Sequence, residues 1–308
     1  MSTRPTDPRP RRIAKRSGTA AEARPNIRPV VIQAPGAMLE ASRRWRSAGR
    51  SIGLVPTMGA LHAGHLSLVD AARRENEIVV VSIFVNPIQF GPNEDFERYP
   101  RDPERDAVLL GEAGVDAIYE PPIAAMYPPG ASTRVRVGGV AEPLEGKARP
   151  GHFEGVATVV TKLFAAVAPD RAYFGQKDAQ QVAVVKRLVR DLDLGVDVRV
   201  GETVREPDGV ALSSRNVYLD PAERRAAAGM SASLRQAASA YAAGERRLDV
   251  LRELVRARLA AEPLVQLEYA ELVDPDTFST PGTLAVIAAR VGRTRLIDNL
   301  DLSKPAPG

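Results

Sequence analysis

The sequence predicts an α/β fold, a doubly wound parallel sheet followed by a smaller C-terminal α+β unit. Three observations carry that reading. From Ser51 to Val204, apolar β-rich runs alternate with segments of helical period, the pattern of parallel strands joined by crossover helices. After the turn signal Pro207-Asp208-Gly209 the composition shifts to Ala/Arg-rich helices. The chain then closes in three alternating segments of antiparallel character.

Taken in order, Ile52 to Val55 reads as a buried strand, and Leu66 to Asn76 as an amphipathic helix reached through the Gly-containing loop Pro56 to Gly64. A strand at Ile78 to Val85, a helix at Pro103 to Ala113 and a strand at Asp116 to Tyr119 follow. Beyond a Gly/Pro-rich stretch, Val156 to Val167 has helical period, Arg171 to Phe174 is a short strand, Ala179 to Leu192 a helix and Val196 to Val204 a strand. Pro221 and Glu223 open helices that reach about Glu262, and strands are expected at Gln266 to Val273, Thr283 to Ala289 and Arg293 to Ile297. A boundary near Arg205 divides a first domain, 29–205, from a second, 206–308. Ligands of such sheets sit at the carboxyl ends of the strands.

With 44% apolar, 26% charged and 5% aromatic residues in 308, collagen-like, disordered and coiled-coil readings are excluded. No apolar run reaches the roughly 18 residues of a membrane span. The chain has no Cys, which removes disulfides, thiolate metal sites and cysteine nucleophiles together. Its net charge of +4 is misleading as a sign of nucleic-acid binding, because residues 1–28 alone carry +6 and the remainder −2. This Pro- and Arg-rich segment lacks the apolar core of a secretory signal and reads as a disordered basic tail, with weak polyanion attraction or an organellar transit role as alternatives.

The chemistry-bearing residues concentrate in four loops. His62-Ala63-Gly64-His65 lies between the first predicted strand and its helix, where free N–H groups and the helix dipole favour an anion. The spacing turns both imidazoles to one side, and Gly64 removes a side chain from the approach of a phosphate. The plainer reading is a solvated loop. His152 is likewise placed in a loop. Gly175, Gln176, Lys177, Asp178, Gln180 and Gln181 follow a strand end, with Lys177 a point charge suited to polyphosphate. Asp178 as a simple helix cap would explain itself but not the two glutamines. Ser213, Ser214, Arg215 and Asn216 offer hydroxyls and a guanidinium, or a plain turn. Asn86 to Gly91 offers amides for a small polar substrate.

Other phosphate and metal patterns fail. Gly146-Lys147 resembles the end of a P-loop, but Ala141 and Ala148 stand where Gly and Ser or Thr are needed, and there is no G-x-G-x-x-G. With three histidines and no metalloprotease spacing, no protein-held metal centre is expected.

Together these segments resemble the pantothenate synthetase (pantoate:β-alanine ligase) family, of the nucleotidyltransferase superfamily that carries a HIGH-type loop. The stretches that carry the likeness are Val55 to His65, Ile83 to Phe90, Arg149 to Phe153, Phe174 to Asp178 with Gln181, and Ser213 to Asn216, in the family's order between about Arg28 and Leu300. The resemblance implies a Rossmann-like first domain, a second domain acting as a lid, and ligation of pantoate to β-alanine through a pantoyl adenylate, with ATP and Mg²⁺. It implies that His62 and His65 contact phosphates during adenylation, and that Lys177, Ser213, Ser214 and Arg215 hold the β- and γ-phosphates. Gly175 and Asp178 would meet the ribose, the backbone near Met58 and Val204 would border the nucleotide, and Gln89 and Gln181 would grip pantoate. A cytoplasmic homodimer, formed through the first domain and without nucleic-acid or membrane partners, is also implied. Ala179 and Ile88 stand where the family commonly has an aromatic residue and Met, which bears on pocket shape.

Two rival classes compete with this reading. A tRNA-charging enzyme has too little chain after Arg205 for an anticodon domain and no aromatic-basic patch there. A regulatory nucleotide-binding module would bind without turnover. Because residues 1–27 contain none of the motif residues, their removal is expected to leave ligase activity unchanged, measured as product formed by the truncated chain. Loss of soluble, folded protein would show instead that the tail belongs to the body.

Overall fold

The computed structural model describes residues 28–304 apart from Asn93, so the tail reading lies outside the described residues. Six parallel strands form the first sheet: β1 (Val30–Ile32), β2 (Ile52–Thr57), β3 (Ile78–Ile83), β4 (Ala117–Tyr119), β5 (Arg171–Gly175) and β6 (Asp197–Gly201). Their order is β1-β4-β3-β2-β5-β6. Pairing starts from Ile52 opposite Ile78 in β2–β3, and from Gly53 opposite Arg171 in β2–β5. The chain thus builds outward from β2 in one direction, then returns to its other side. That reversal opens a crevice beyond the carboxyl ends of β2 and β5.

Alternation along the strands explains why the sheet is covered twice. Ile52, Leu54, Ile78, Val80, Ala117, Tyr119, Ala172 and Phe174 share one core with α1 (Pro35–Ser47), α6 (His152–Val167) and α7 (Ala179–Asp191). Val55, Val79, Val81, Ile118 and Tyr173 share the other with α2 (Ala63–Glu75) and α3 (Pro103–Glu112). Two single-turn helices, α4 (Ile123–Met126) and α5 (Glu145–Ala148), interrupt the connection from β4 to α6. Successive side chains of a strand point to opposite faces, so a sheet buried on both sides requires continuous apolar runs such as Ile78 to Val81.

The sequence reading did not include β1 and α1. β1 is a three-residue edge strand with Val30 62% exposed, and α1 begins after Ala34, whose side chain cannot cap. The predicted strand Val196 to Val204 is shorter, Asp197–Gly201, because the chain leaves the sheet to enter the crevice wall.

The second body is an antiparallel sheet, β7 (Val265–Val273), β8 (Leu284–Val291) and β9 (Thr294–Asp301), in the order β7-β8-β9. One face packs on α8 (Pro221–Ala242) and α9 (Leu248–Ala260) through Leu234, Leu251, Leu259, Ile287 and Leu296. α8 starts where the sequence suggests, with Asp220 accepting from the N–H groups of Ala222 and Glu223 and Pro221 in the first turn. The other face meets the first body: Val273, Leu284 and Val286 cluster with Ala179, Ala183 and Val184 of α7.

A buried ion pair crosses that junction. Glu145, the first residue of α5, is 5% exposed. It accepts from Arg295 at 2.6 and 2.8 Å and from the Tyr269 hydroxyl at 2.7 Å. Burial disfavours the carboxylate, but Arg295 outweighs it and holds the Glu145 pKa below the ordinary range. Removing one partner of such a pair leaves the other charge uncompensated, so Glu145→Ala is expected to cost about 3 kcal/mol. Urea unfolding checks this: the midpoint should fall with the slope unchanged, and an unshifted midpoint would show that the junction rests on its apolar cluster alone.

Candidate active site

All twelve residues singled out as site residues line one cavity of about 220 Å³ at the crevice: Met58, His62, His65, Gln89, Gly175, Lys177, Asp178, Gln181, Val204, Ser213, Ser214 and Arg215. A second cavity of about 550 Å³ adjoins it and shares Arg149, Lys177, Asp178, Ser213 and Arg215.

The histidine loop is fixed from behind. Asp106 of α3, 1% exposed, accepts the N–H groups of Ala60 and Leu61, each at 2.8 Å. These bonds support Ala60 in the left-handed region at φ 50°, a conformation unfavourable to a residue with a Cβ. The chain can then turn from β2 into α2 with His62 at the N-cap position. His65 falls in the first helical turn and His152 opens α6, so neither occupies the loop position read from the sequence. The His62 and His65 rings stack with centroids 4.1 Å apart. Gly64 has a local reason to lack a side chain, since a Cβ there would stand 3.1 Å from the His62 ring.

Protonation of this pair follows from its surroundings. Burial, then the adjacent His62, lowers the His65 pKa to about 3. Burial and the charge of Lys177 lower that of His62. Both rings are therefore neutral at physiological pH. The His62 backbone N–H donates to His65 Nδ1 at 3.4 Å, which puts the ring proton of His65 on Nε2. His62 Nδ1 is buried without a hydrogen-bond partner.

Across the crevice, β5 ends at Gly175, where an added Cβ would meet nothing within 4 Å, so a ligand can approach the backbone closely. Asp178 occupies the N-cap position of α7, but its side chain makes no capping bond. Its carboxylate lies 3.4 Å from Lys177 Nζ instead. The two glutamines have different roles. Gln180 is buried and bonds the carbonyls of Val140 and Pro143 and the N–H of Glu145, which makes it structural. Gln181 lines the cavity.

The segment after β6 closes the cavity. Ser214 Oγ donates to Ala60 O at 3.3 Å, joining this segment to the histidine loop. The Nε and Nη2 groups of Arg215 donate to Asp95 at 2.8 and 2.7 Å. Burial opposes the Asp95 carboxylate, yet Arg215 holds its pKa below the ordinary range.

On the remaining wall, Asn86 is 1% exposed and fully engaged. Its Nδ2 donates to Gln89 Oε1 and Gly155 O, and its Oδ1 accepts from the Tyr127 hydroxyl. Asn86 therefore orients Gln89 and does not offer its amide to a ligand. With Oε1 occupied, Gln89 has Nε2 as its donor toward the cavity, bonded only at 3.5 Å to Met58 sulfur. His152 Nδ1–H donates to Gln89 O at 2.9 Å while its Nε2 accepts from Arg149, so this ring also braces Gln89. Burial, then Arg149, lowers its pKa to about 4. Arg149 is itself held by Glu94 at 2.6 and 2.7 Å. The carboxylates Asp106, Glu94 and Asp95 were missed in the sequence, because each acts through a partner distant in the chain and no local spacing marks it.

Since both values lie below the ordinary 6.5, His65 and His152 should not titrate near neutrality. Between the folded and unfolded pKa values the unfolded chain binds more protons, so this contribution to stability is present above about pH 6.5 and lost as pH falls toward the folded values. Imidazole proton shifts followed by NMR from about pH 8 to 5.5 are expected to stay flat for these two rings. A midpoint near 6.5 for either would contradict the packing described.

Among the described residues no group of three His, Asp or Glu is arranged to hold a metal ion, and no helix is long and apolar enough to cross a membrane. Comparison with known proteins bears on most of the chain. The profile of the Pantoate-beta-alanine ligase family matches residues 30–301. The chain is 56% identical over 252 residues to the pantothenate synthetase of Roseiflexus sp. strain RS-1, covering 80% of this chain and 91% of that one. It is 54% identical over 268 residues to that of Pelotomaculum thermopropionicum, covering 85% and 95%. The crystal structure of the Thermus thermophilus pantothenate synthetase superposes with a TM-score of 0.84 at 46% identity, covering 89% and 99%. That of a Francisella tularensis pantoate-beta-alanine ligase, complexed with beta-gamma ATP and beta-alanine, does so with 0.75 at 33% identity, covering 90% and 99%. With its sheet order, its crevice and nearly its full folded length matched, the chain belongs to the pantoate-beta-alanine ligase family.

Proposed function

We propose that the cavity carries out the family's ATP-dependent ligation in two half-reactions at one site, with the triphosphate lying between the histidine loop and the Lys177 and Ser213–Arg215 segments. The enzyme class itself follows from the family: the chain is a pantoate–β-alanine ligase. In the first half-reaction a pantoate carboxylate oxygen bonds the α-phosphorus as the bond to the β-phosphate oxygen breaks and pyrophosphate leaves. In the second, the β-alanine amine bonds the acyl carbon, the bond to AMP breaks, and the amine gives up a proton.

The observation that supports this reading most is the composition of the cavity wall. Two neutral imidazoles at the start of α2 share it with Lys177, Ser213, Ser214 and Arg215. A carboxylate attacking phosphorus needs alignment and neutralisation of charge more than a general base, and N–H donors, hydroxyls and cations supply both. In this reading His65 donates from Nε2 and Arg215 from Nη1 and the second Nη2 hydrogen, since Asp95 takes Nε–H and the first. Gly175 and Asp178 meet the ribose, and the backbone at Met58 and Val204 borders the nucleotide. Gln89 donates from Nε2 to pantoate, and Gln181, which accepts and donates at once, complements a hydroxyl beside a carboxylate. Mg²⁺ enters as the counter-ion of ATP, held by its phosphates and neutralising their charge. The acidic residues of this wall are Asp178, which lies beside Lys177, and Glu202, while Glu94 and Asp95 of the adjoining cavity are committed to arginines. A cytoplasmic homodimer and a lid role for the second body complete the proposal, on the family likeness.

Pantoate-dependent exchange of pyrophosphate into ATP tests the reading, because neither a tRNA-charging enzyme nor a binding module performs it. His62→Ala or His65→Ala should lower exchange by two orders of magnitude or more, about 2.7 kcal/mol of transition-state stabilisation. Gln89→Ala and Gln181→Ala should cost roughly 1 to 3 kcal/mol, seen as a raised KM for pantoate with a smaller effect on ATP. Lys177→Ala should act chiefly on the ATP-dependent step. Near-normal exchange in both histidine variants, or equal loss of ATP and pantoate use in the glutamine variants, would overturn these assignments.

A further inference from the structure

The motifs read from the sequence end at Asn216, yet the strand β9 reaches the cavity wall from behind. Asn299 is 5% exposed, and its Nδ2 donates to the carbonyls of Gln176 at 3.0 Å and Lys177 at 2.9 Å. Its Oδ1 accepts from Gln176 Nε2 at 3.3 Å. These carbonyls belong to the 3₁₀ turn Gln176–Asp178, which has no side-chain cap of its own. One side-chain amide therefore fixes the backbone from which Lys177 extends.

The preceding residue grips the opposite arm. Asp298, also 5% exposed, accepts from Arg205 at 2.7 and 2.9 Å. Arg205 in turn forms a β-bridge with Ala211, which closes the turn leading into Ser213–Arg215. Adjacent residues of a strand face opposite ways. β9 can thus hold the Lys177 turn on one side and the root of the Ser213–Arg215 segment on the other.

We propose that Asn299 and Asp298 are positioning residues that set the separation of the two polyphosphate-binding arms, Asn299 acting through Lys177 and Asp298 through Ser213–Arg215. The inference rests on the assignment of those arms to the β- and γ-phosphates of ATP. Neither residue lines the cavity, so each affects triphosphate affinity without touching the ligand. Displacement of a few tenths of an ångström in either backbone shifts cationic groups at the ends of long side chains, and binding of a polyanion depends on those groups converging.

The test uses the full chain and measures equilibrium binding of MgATP beside pantoate-dependent exchange. Asn299→Asp keeps the size of the side chain but turns a carboxylate oxygen toward two carbonyls. It should raise the Kd for MgATP about tenfold and leave the KM for pantoate within about twofold. Asp298→Asn should act in the same direction. Asn299→Ala, which removes the donors without adding charge, decides the matter if Asn299→Asp is insoluble. Leu251→Ala, in the core of the second body, serves as the control: it should lower the unfolding temperature and leave ATP affinity within about twofold. Unchanged ATP affinity in the Asn299 variants, an equal rise in both substrate constants, or the same ATP effect in Leu251→Ala would overturn the positioning role. Wild-type binding of MgATP without exchange would count against the ligase reading alone, because the binding comparison would still decide the role of Asn299.

Discussion

The structure depends on the reversal of strand order at β2. Parallel strands cannot be joined by tight turns, so each crossover carries a helix, and the direction of building decides which side of the sheet that helix covers. When the chain returns to pair β5 with β2, the connections leaving these neighbours run to opposite faces, α2 to one and α7 to the other. Between them no backbone fills the space above the strand ends. His62, His65, Gly175 and Lys177 all lie within a few residues of that divergence. The crevice is thus a consequence of topology, and the side chains around it make it polar.

A polar crevice beside two apolar cores has an electrostatic cost, and the wall meets it by pairing its cations one by one. Arg149 is matched by Glu94, Arg215 by Asp95, Arg205 by Asp298 and Lys177 by Asp178. A lone guanidinium at this depth would lose hydration without compensation. The paired one keeps its position and some of its donors. Arg215 illustrates the point: Asp95 fixes its plane through two N–H groups, so the remaining donors are aimed before any ligand arrives. The second body belongs to the same scheme, since Arg205 and Asp298 join its sheet to the crevice wall and Glu145 with Arg295 joins it to the first body.

Most of the doubly wound sheet was legible because a strand buried on both faces must be continuously apolar, as Ile78 to Val81 is, and its helices must carry a stripe. Legibility failed where burial is partial. β1 is half solvent and three residues long, and α1 lacks a capping side chain, so neither leaves a local pattern. The same division runs through the cavity. Residues that line the cavity cluster in short polar segments between apolar elements, which is why His62, Lys177 and Ser213 stood out. Residues that orient them do so from other elements. Asp106 sits in the first turn of α3 and Asn299 within a strand, and each is marked only by which backbone groups it reaches. Asn86 shows the intermediate case: its segment was recognised, but its role in holding Gln89 depends on Gly155 and Tyr127, which the chain brings from far away.

The histidine pair connects the electrostatics to the chemistry. Two causes depress these imidazoles. One is burial, which disfavours any charge and is the larger; the other is neighbouring positive charge, from Lys177 and Arg105 at His62 and from the His62 ring and then Lys177 at His65, with Asp178 opposing it at both. Only the second distinguishes a cation-repelling site from an ordinary apolar one. Lys177, which resists protonation of either ring, also contributes positive potential that attracts a polyanion to the same point. Lysines in place of the histidines would deepen that potential, at the cost of burying two like charges beside Lys177. Neutral rings avoid this cost and still present N–H dipoles at a helix start, where the backbone already contributes partial positive charge. The stack at 4.1 Å is tolerable for the same reason, because two protonated rings at that distance would repel. Neutrality is therefore what allows the donors to be placed so close together.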